Sequence, residues 1–141
     1  MLTIKVPGIT RQLALDEAIS VNSPHFTWAE ATKGGARIPL SESITTNIIR
    51  IAISLESVRE RFGGKSISIT SWYRPPAVNL AVGGARFSKH IEGHAADILI
   101  AGLDPREVTA ELTKDWDGGV GDSPAFTHLD LGPRRRWDYG G

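Results

Sequence analysis

At 141 residues, 40% apolar and 23% charged, the chain has the size and balance of one globular domain, read as 1–141. Its 16 basic and 16 acidic residues cancel, so charge supplies no attraction for nucleic acid or an acidic membrane surface. Cysteine is absent, which excludes disulfides and thiolate ligands and leaves His25, His90, His94 and His128 as the only nitrogen ligands a metal could find.

Residues 1–40 are the least periodic part, rich in Gly, Pro and Ser, and 1–25 can be read as an N-terminal extension. The opening Met1–Val6 lacks the apolar core of a secretory signal, and no apolar run approaches the roughly 18 residues of a membrane span. Membrane insertion is therefore not expected. Thr27 and Glu30 have capping-box spacing and predict a short helix from Thr27. Ile44, Ile48, Ile51, Leu55, Val58 and Phe62 recur at steps of three or four, predicting the strongest helix at about 43–62, stopped by Gly63-Gly64.

Alternation over 66–71 predicts a half-buried strand, broken by Pro75-Pro76, which open a short helix ending near Gly83-Gly84. Ala95 to Ile100 reads as a central strand. Asp104, Pro105 and Glu107 occupy cap positions of a helix over about 105–115. Gly118–Gly121 reads as an edge strand or a turn, and Phe126–Leu131 as a further strand. Arg134, Arg135 and Arg136 read as a solvated tail. The pattern predicts an α+β fold, a small antiparallel sheet with helices packed on one side.

Three segments carry chemistry. In Ser88–Asp97 a histidine, His90, precedes by seven positions an aspartate set inside an apolar strand. A buried carboxylate such as Asp97 costs several kcal/mol unless it meets a cation, either a metal or an arginine. In Phe126–Leu131 strand alternation puts His128 and Asp130 on one face, as metal-site groups or as a plain ion pair. Arg74, fixed by Pro75-Pro76, suits a substrate carboxylate, an oxyanion or a structural salt bridge. Trp28, Trp72, Tyr73 and Trp137 are either cleft walls or core, and His25 reads as structural.

Together, Ser88-x-His90-x-x-Gly93-x-Ala95-x-Asp97, the preceding Ser71-x-Tyr73-Arg74 and the ending Phe126-x-His128-x-Asp130-x-Gly132-Pro133 resemble the zinc D-Ala-D-Ala carboxypeptidase family. That family shares its fold with L-alanyl-D-glutamate endolysins and the Hedgehog signalling domain. The resemblance covers about Phe26 to Trp137. It implies a DD-peptidase-like fold, a Zn²⁺ held by His90, Asp97 and His128, and Arg74 on the oxyanion or the substrate. Ser88 would support the first ligand, and His94 would orient the loop.

One position departs from the family: three residues before His128, where many relatives carry an acid, stands Ala125. Asp130 is the substitute read as general base. In the alternative alignment Asp130 is the third ligand and His128 handles the proton. The implied substrate is a peptidoglycan peptide, cut by a monomer as a D-Ala-D-Ala carboxypeptidase. An L-Ala-D-Glu endopeptidase of a phage lysis system and a non-catalytic zinc-stabilised binding module remain alternatives. A cell-wall substrate further implies a periplasmic or extracellular fragment, or a phage protein released from the cytoplasm.

Overall fold

The computed structural model describes residues 2–85 and 88–139. A two-stranded antiparallel ribbon, β1 (Thr3–Ile4) and β2 (Leu13–Ala14), leads into α1 (Trp28–Thr32) and α2 (Glu42–Arg61). β3 (Ile67–Ser71), α3 (Pro76–Ala81), β4 (Ala95–Ile100), α4 (Pro105–Thr113), β5 (Gly119–Asp122), β6 (Thr127–Asp130) and β7 (Arg135–Asp138) follow.

The helices start where local chemistry starts them. Thr27 accepts from the Glu30 amide while the Glu30 carboxylate accepts from the Thr27 amide, a complete capping box for α1. The Ser41 hydroxyl caps α2 through the Ile44 amide, and the Asp104 carboxylate caps α4 through the Arg106 amide. The apolar stripe of α2 is buried at Ile48, Ile51, Leu55 and Val58. No described helix is long and apolar enough to cross a membrane.

Five strands form one sheet in the order β3-β4-β6-β5-β7. The neighbours β3/β4, β4/β6 and β6/β5 are antiparallel, but β5/β7 is parallel. The α+β class holds. The wholly antiparallel sheet does not, and the sheet is mixed. The reason lies in 135–138: a strand that opens on two arginines has no apolar alternation, and β5, its partner, is half glycine. β5 is accordingly an interior strand and not an edge.

Register sorts the side chains by face. Ile67, Ile69, Ala96, Ile98, Ile100, Val120 and Leu129 lie on the face covered by α2 and α4, and their core also contains Val6, Leu13, Ile19, Phe26 and Trp28. The other face presents Asp97, His128 and Asp130, with Gly119 and Gly121 beside them on β5. A bulge between Ile69 and Ser71 shifts β3 by one residue and sets Ser71 opposite Asp97.

Candidate metal centre

Asp97 and His128 are direct cross-strand partners of β4 and β6, so their side chains rise from the same face side by side. His90 arrives from the loop before β4. That loop is held by the Trp72 indole, which donates to the Gly93 carbonyl at 3.2 Å, and by the Ser88 hydroxyl, which accepts from the His90 amide at 3.2 Å. Gly93 has φ +82°, and a Cβ there would meet the Ile44 carbonyl oxygen at 3.0 Å, so only glycine lets the loop press onto α2.

The three residues are buried, and one ligand atom from each lies within 4.8 Å of the other two. Asp97 Oδ1 is 3.2 Å from His90 Nε2 and 2.9 Å from His128 Nδ1. The remaining nitrogen of each imidazole is already committed. His90 Nδ1 lies 2.6 Å from the Trp72 carbonyl, which can only accept, so that nitrogen carries the proton. His128 Nε2 lies 2.7 Å from Asp130 Oδ2 and donates to it. In these neutral tautomers both free lone pairs point at Asp97. Three electron-pair donors facing one another need a cation among them, and ligands about 2.0–2.2 Å from a tetrahedral ion sit roughly 3.3–3.6 Å apart. Two imidazoles and one carboxylate, each imidazole braced through its far nitrogen, fit Zn²⁺.

Electrostatics agree with that fit. Burial alone would push the Asp97 carboxyl up, but the hydrogen bonds and charge of His128 and His90 hold it well below the ordinary range. Burial also opposes charge on His128, yet Asp130 and Asp97 raise its proton affinity above the ordinary imidazole value. Without a metal, a proton takes the place the site keeps for positive charge, and metal binding must release it.

Asp130 is fully buried. Its Oδ1 accepts from the Gly119 amide at 3.1 Å and the Gly132 amide at 2.9 Å, and its Oδ2 accepts from Arg135 at 2.8 Å as well as from His128. Despite its burial, His128, Arg135 and the Gly132 amide keep the carboxyl well below the ordinary range. Arg74 stands on the other side. Its Nε donates to the Ser71 hydroxyl at 2.9 Å, its Nη2 lies 3.5 Å from Asp97 Oδ2, and its own amide donates to the His90 carbonyl. Nη1 of Arg74 has no partner among the described residues.

The other candidates separate from this cluster. Ala125 contributes only its amide, which donates to the Ser123 hydroxyl. His94 is buried with Nδ1 unpartnered, and its carbonyl accepts from the Leu131 amide, tying the loop to the end of β6. Glu92 is half-exposed and pairs with Lys89. His25 pairs with Glu56 at 2.8 Å, as a structural residue would. Trp28, Trp72 and Tyr73 are core, whereas Trp137 lies over His128 with ring centroids 5.0 Å apart.

Sequence reasoning missed Arg135, Gly119, Gly121 and Tyr139. A Cβ on Gly119 would sit 2.4 Å from the Asp130 carboxylate, and one on Gly121 would sit 2.6 Å from the Tyr139 ring. The absent side chains of β5 are the space that Asp130, Trp137 and Tyr139 fill. Beside the cluster opens a cleft of about 210 Å³, lined by Ser88, Lys89, His128, Arg135, Trp137 and Tyr139. The Gly-x-Gly spacing next to a His-x-Asp strand was the available signal.

Comparison with known proteins matches these features. Residues 19–130 fit the family model described as Peptidase M15. The zinc D-Ala-D-Ala carboxypeptidase of Streptomyces albus G is 32% identical over 92 residues, covering 62% of this chain and 34% of that protein. The probable peptidoglycan L,D-endopeptidase MepK of Haemophilus influenzae is 36% identical over 78 residues, covering 50% of this chain and 42% of that protein. The matches span well under half the length of these curated relatives. With the family model covering most of the sequence, and with a buried His-Asp-His cluster on the open face of the sheet, the chain belongs to the peptidase M15 family.

Proposed function

We propose that this domain is a zinc-dependent peptidase acting on the peptide stem of bacterial peptidoglycan, and that it removes the terminal residue of D-Ala-D-Ala. The observation that carries this reading is the convergence of His90 Nε2, Asp97 Oδ1 and His128 Nδ1 with every opposing nitrogen tied down. The named activity of the Streptomyces albus G relative supports the substrate class. Three protein ligands leave a fourth position open, the arrangement of catalytic zinc sites. A divalent ion held there supplies Lewis acidity towards water and a peptide carbonyl.

The chain's own residues supply the rest. Arg74, with Nη1 unpartnered among the described residues, donates to the substrate carbonyl as charge develops on it, or to a terminal carboxylate. Asp130 is the general base expected from the strand face, but its acceptor capacity is filled by four groups and its basicity is depressed. A base working near neutral pH needs a pKa near the operating pH. We therefore infer that Asp130 fixes the tautomer and angle of His128 and does not carry the proton. The His128 Nδ1 position among the ligand atoms favours His128 over Asp130 as the third ligand.

The direct test incubates the purified protein with a D-Ala-D-Ala-ending pentapeptide and with muropeptides, with and without a chelator, and reads products by mass spectrometry. Chelator-sensitive release of D-Ala supports the reading. Internal cleavage, between L-Ala and D-Glu or at a cross-link, would instead assign an endopeptidase, the class that the Haemophilus influenzae relative is named for and that an endolysin of a phage lysis system would need. No zinc-dependent product from any of these peptides would leave a binding module, which the alanine at 125 favours. We place the substrate in the cell wall and take the working unit as a monomer, to be checked by sedimentation.

A further inference from the structure

Tyr139 sits at the mouth of the cleft, and nothing in the proposed chemistry yet uses it. Its ring is 6.4 Å from the His128 ring, 5.9 Å from Trp137 and 5.3 Å from Phe126, all centroid to centroid. The placement is built. The Tyr139 amide donates to the Asp122 carbonyl at 2.8 Å, continuing the β5/β7 ladder, and Gly121 leaves room for the ring. A phenylalanine would pack against these three rings equally well, so packing alone gives no reason for a hydroxyl here.

Tyr139 is half-exposed, and it lines the cleft together with His128 and Asp130. Trp137, whose indole N–H can only donate, is a hydrogen-bonding neighbour of the phenol. Among the described residues no acceptor takes the phenol proton. The hydroxyl thus remains able to donate. It also lies within the field of Asp97, Asp130 and Arg74, the groups that frame the metal centre. Meanwhile the position three residues before His128 is Ala125, which has no side chain able to donate to a reacting group.

We infer that Tyr139 is a further catalytic residue of this site, donating a hydrogen bond through its neutral hydroxyl to the scissile carbonyl oxygen of a bound peptide. It acts with Arg74, and the two donors approach that oxygen from two sides of the cluster. No bond to Tyr139 forms and its proton is not transferred; the hydrogen bond strengthens as the carbonyl carbon becomes tetrahedral. This inference rests on the peptidase reading.

The test compares Tyr139→Phe with the wild type, both zinc-loaded, on whichever peptidoglycan peptide the wild type cuts. Removing one such donor typically lowers kcat by about 100- to 1,000-fold. The expected result is a kcat lower by at least about tenfold, with KM within about twofold and zinc stoichiometry and melting temperature unchanged. A second readout is binding of a phosphinic dipeptide, whose tetrahedral charged oxygens resemble the strained substrate. Calorimetry should show Tyr139→Phe binding it at least about tenfold more weakly. Wild-type kcat and wild-type phosphinate affinity in the variant would overturn the inference while leaving the peptidase reading intact. A wild type that yields no chelator-sensitive product would overturn the reading, and the role of Tyr139 with it.

Discussion

Asp130 has two conceivable roles, and a single substitution separates them. If the carboxylate braces His128, Asp130→Asn removes a charged acceptor from Nε2 and leaves Arg135 without its carboxylate partner. Zinc affinity should then fall about 10- to 100-fold, as for other partners behind a metal ligand. Were the residue a proton acceptor, the same variant would keep its zinc and lose only turnover. Competitive titration with a chromophoric chelator distinguishes the outcomes. His90→Ala is the stricter control: it removes a ligand outright and should abolish stoichiometric zinc binding, while the Trp72 carbonyl it leaves unpaired costs about 1–3 kcal/mol of stability.

At the scale of the elements, β5 makes the clearest prediction. Gly119→Ala forces a methyl group into the Asp130 carboxylate, and Gly121→Ala forces one into the Trp137 and Tyr139 rings. Each should cost about 1–3 kcal/mol, the usual effect of overpacking. Gly119→Ala should also weaken zinc, because Asp130 can move only by dragging His128. Gly121→Ala should disturb the cleft wall and spare the ion. Urea melts paired with zinc titrations would show this division; equal losses of zinc in both variants would refute it.

What could be read in advance follows the range of the interactions involved. Helix α2 and the caps at Thr27 and Asp104 rest on contacts within four residues, and they are where the spacing put them. His90, Asp97 and His128 were legible because a carboxylate inside an apolar strand demands a cation and because the motif resembles a known family. Arg135 was not, because a run of arginines shows no period. Its function comes from a parallel pairing with a glycine-rich strand about 16 residues earlier, Gly119↔Arg135. The mixed sheet was missed for the same reason.

Over the whole molecule, the ion and the fold are linked. The ligands come from β4, β6 and the loop packed on α2, so a bound ion joins segments that separate on unfolding. Free zinc at 100 times its dissociation constant adds about 2.7 kcal/mol, a midpoint shift of roughly 5–15 °C in a domain of this size. Differential scanning calorimetry with and without chelator should show that gap in the wild type and none in His90→Ala. A gap persisting in the variant would mean that the stabilising zinc binds elsewhere.

The parallel strand β7 also has a consequence for how the protein comes into being. During synthesis the ribosome releases all three ligands before it releases Arg135, Trp137 and Tyr139. A nascent chain could capture its ion early, yet the arginine steadying Asp130 and the aromatic wall of the cleft arrive only when the last strand slots beside β5. A site completed in that sequence gains its cation-binding side chains before the wall of its cleft, so a chain stopped before residue 135 would carry all three ligands and lack the cleft beside them.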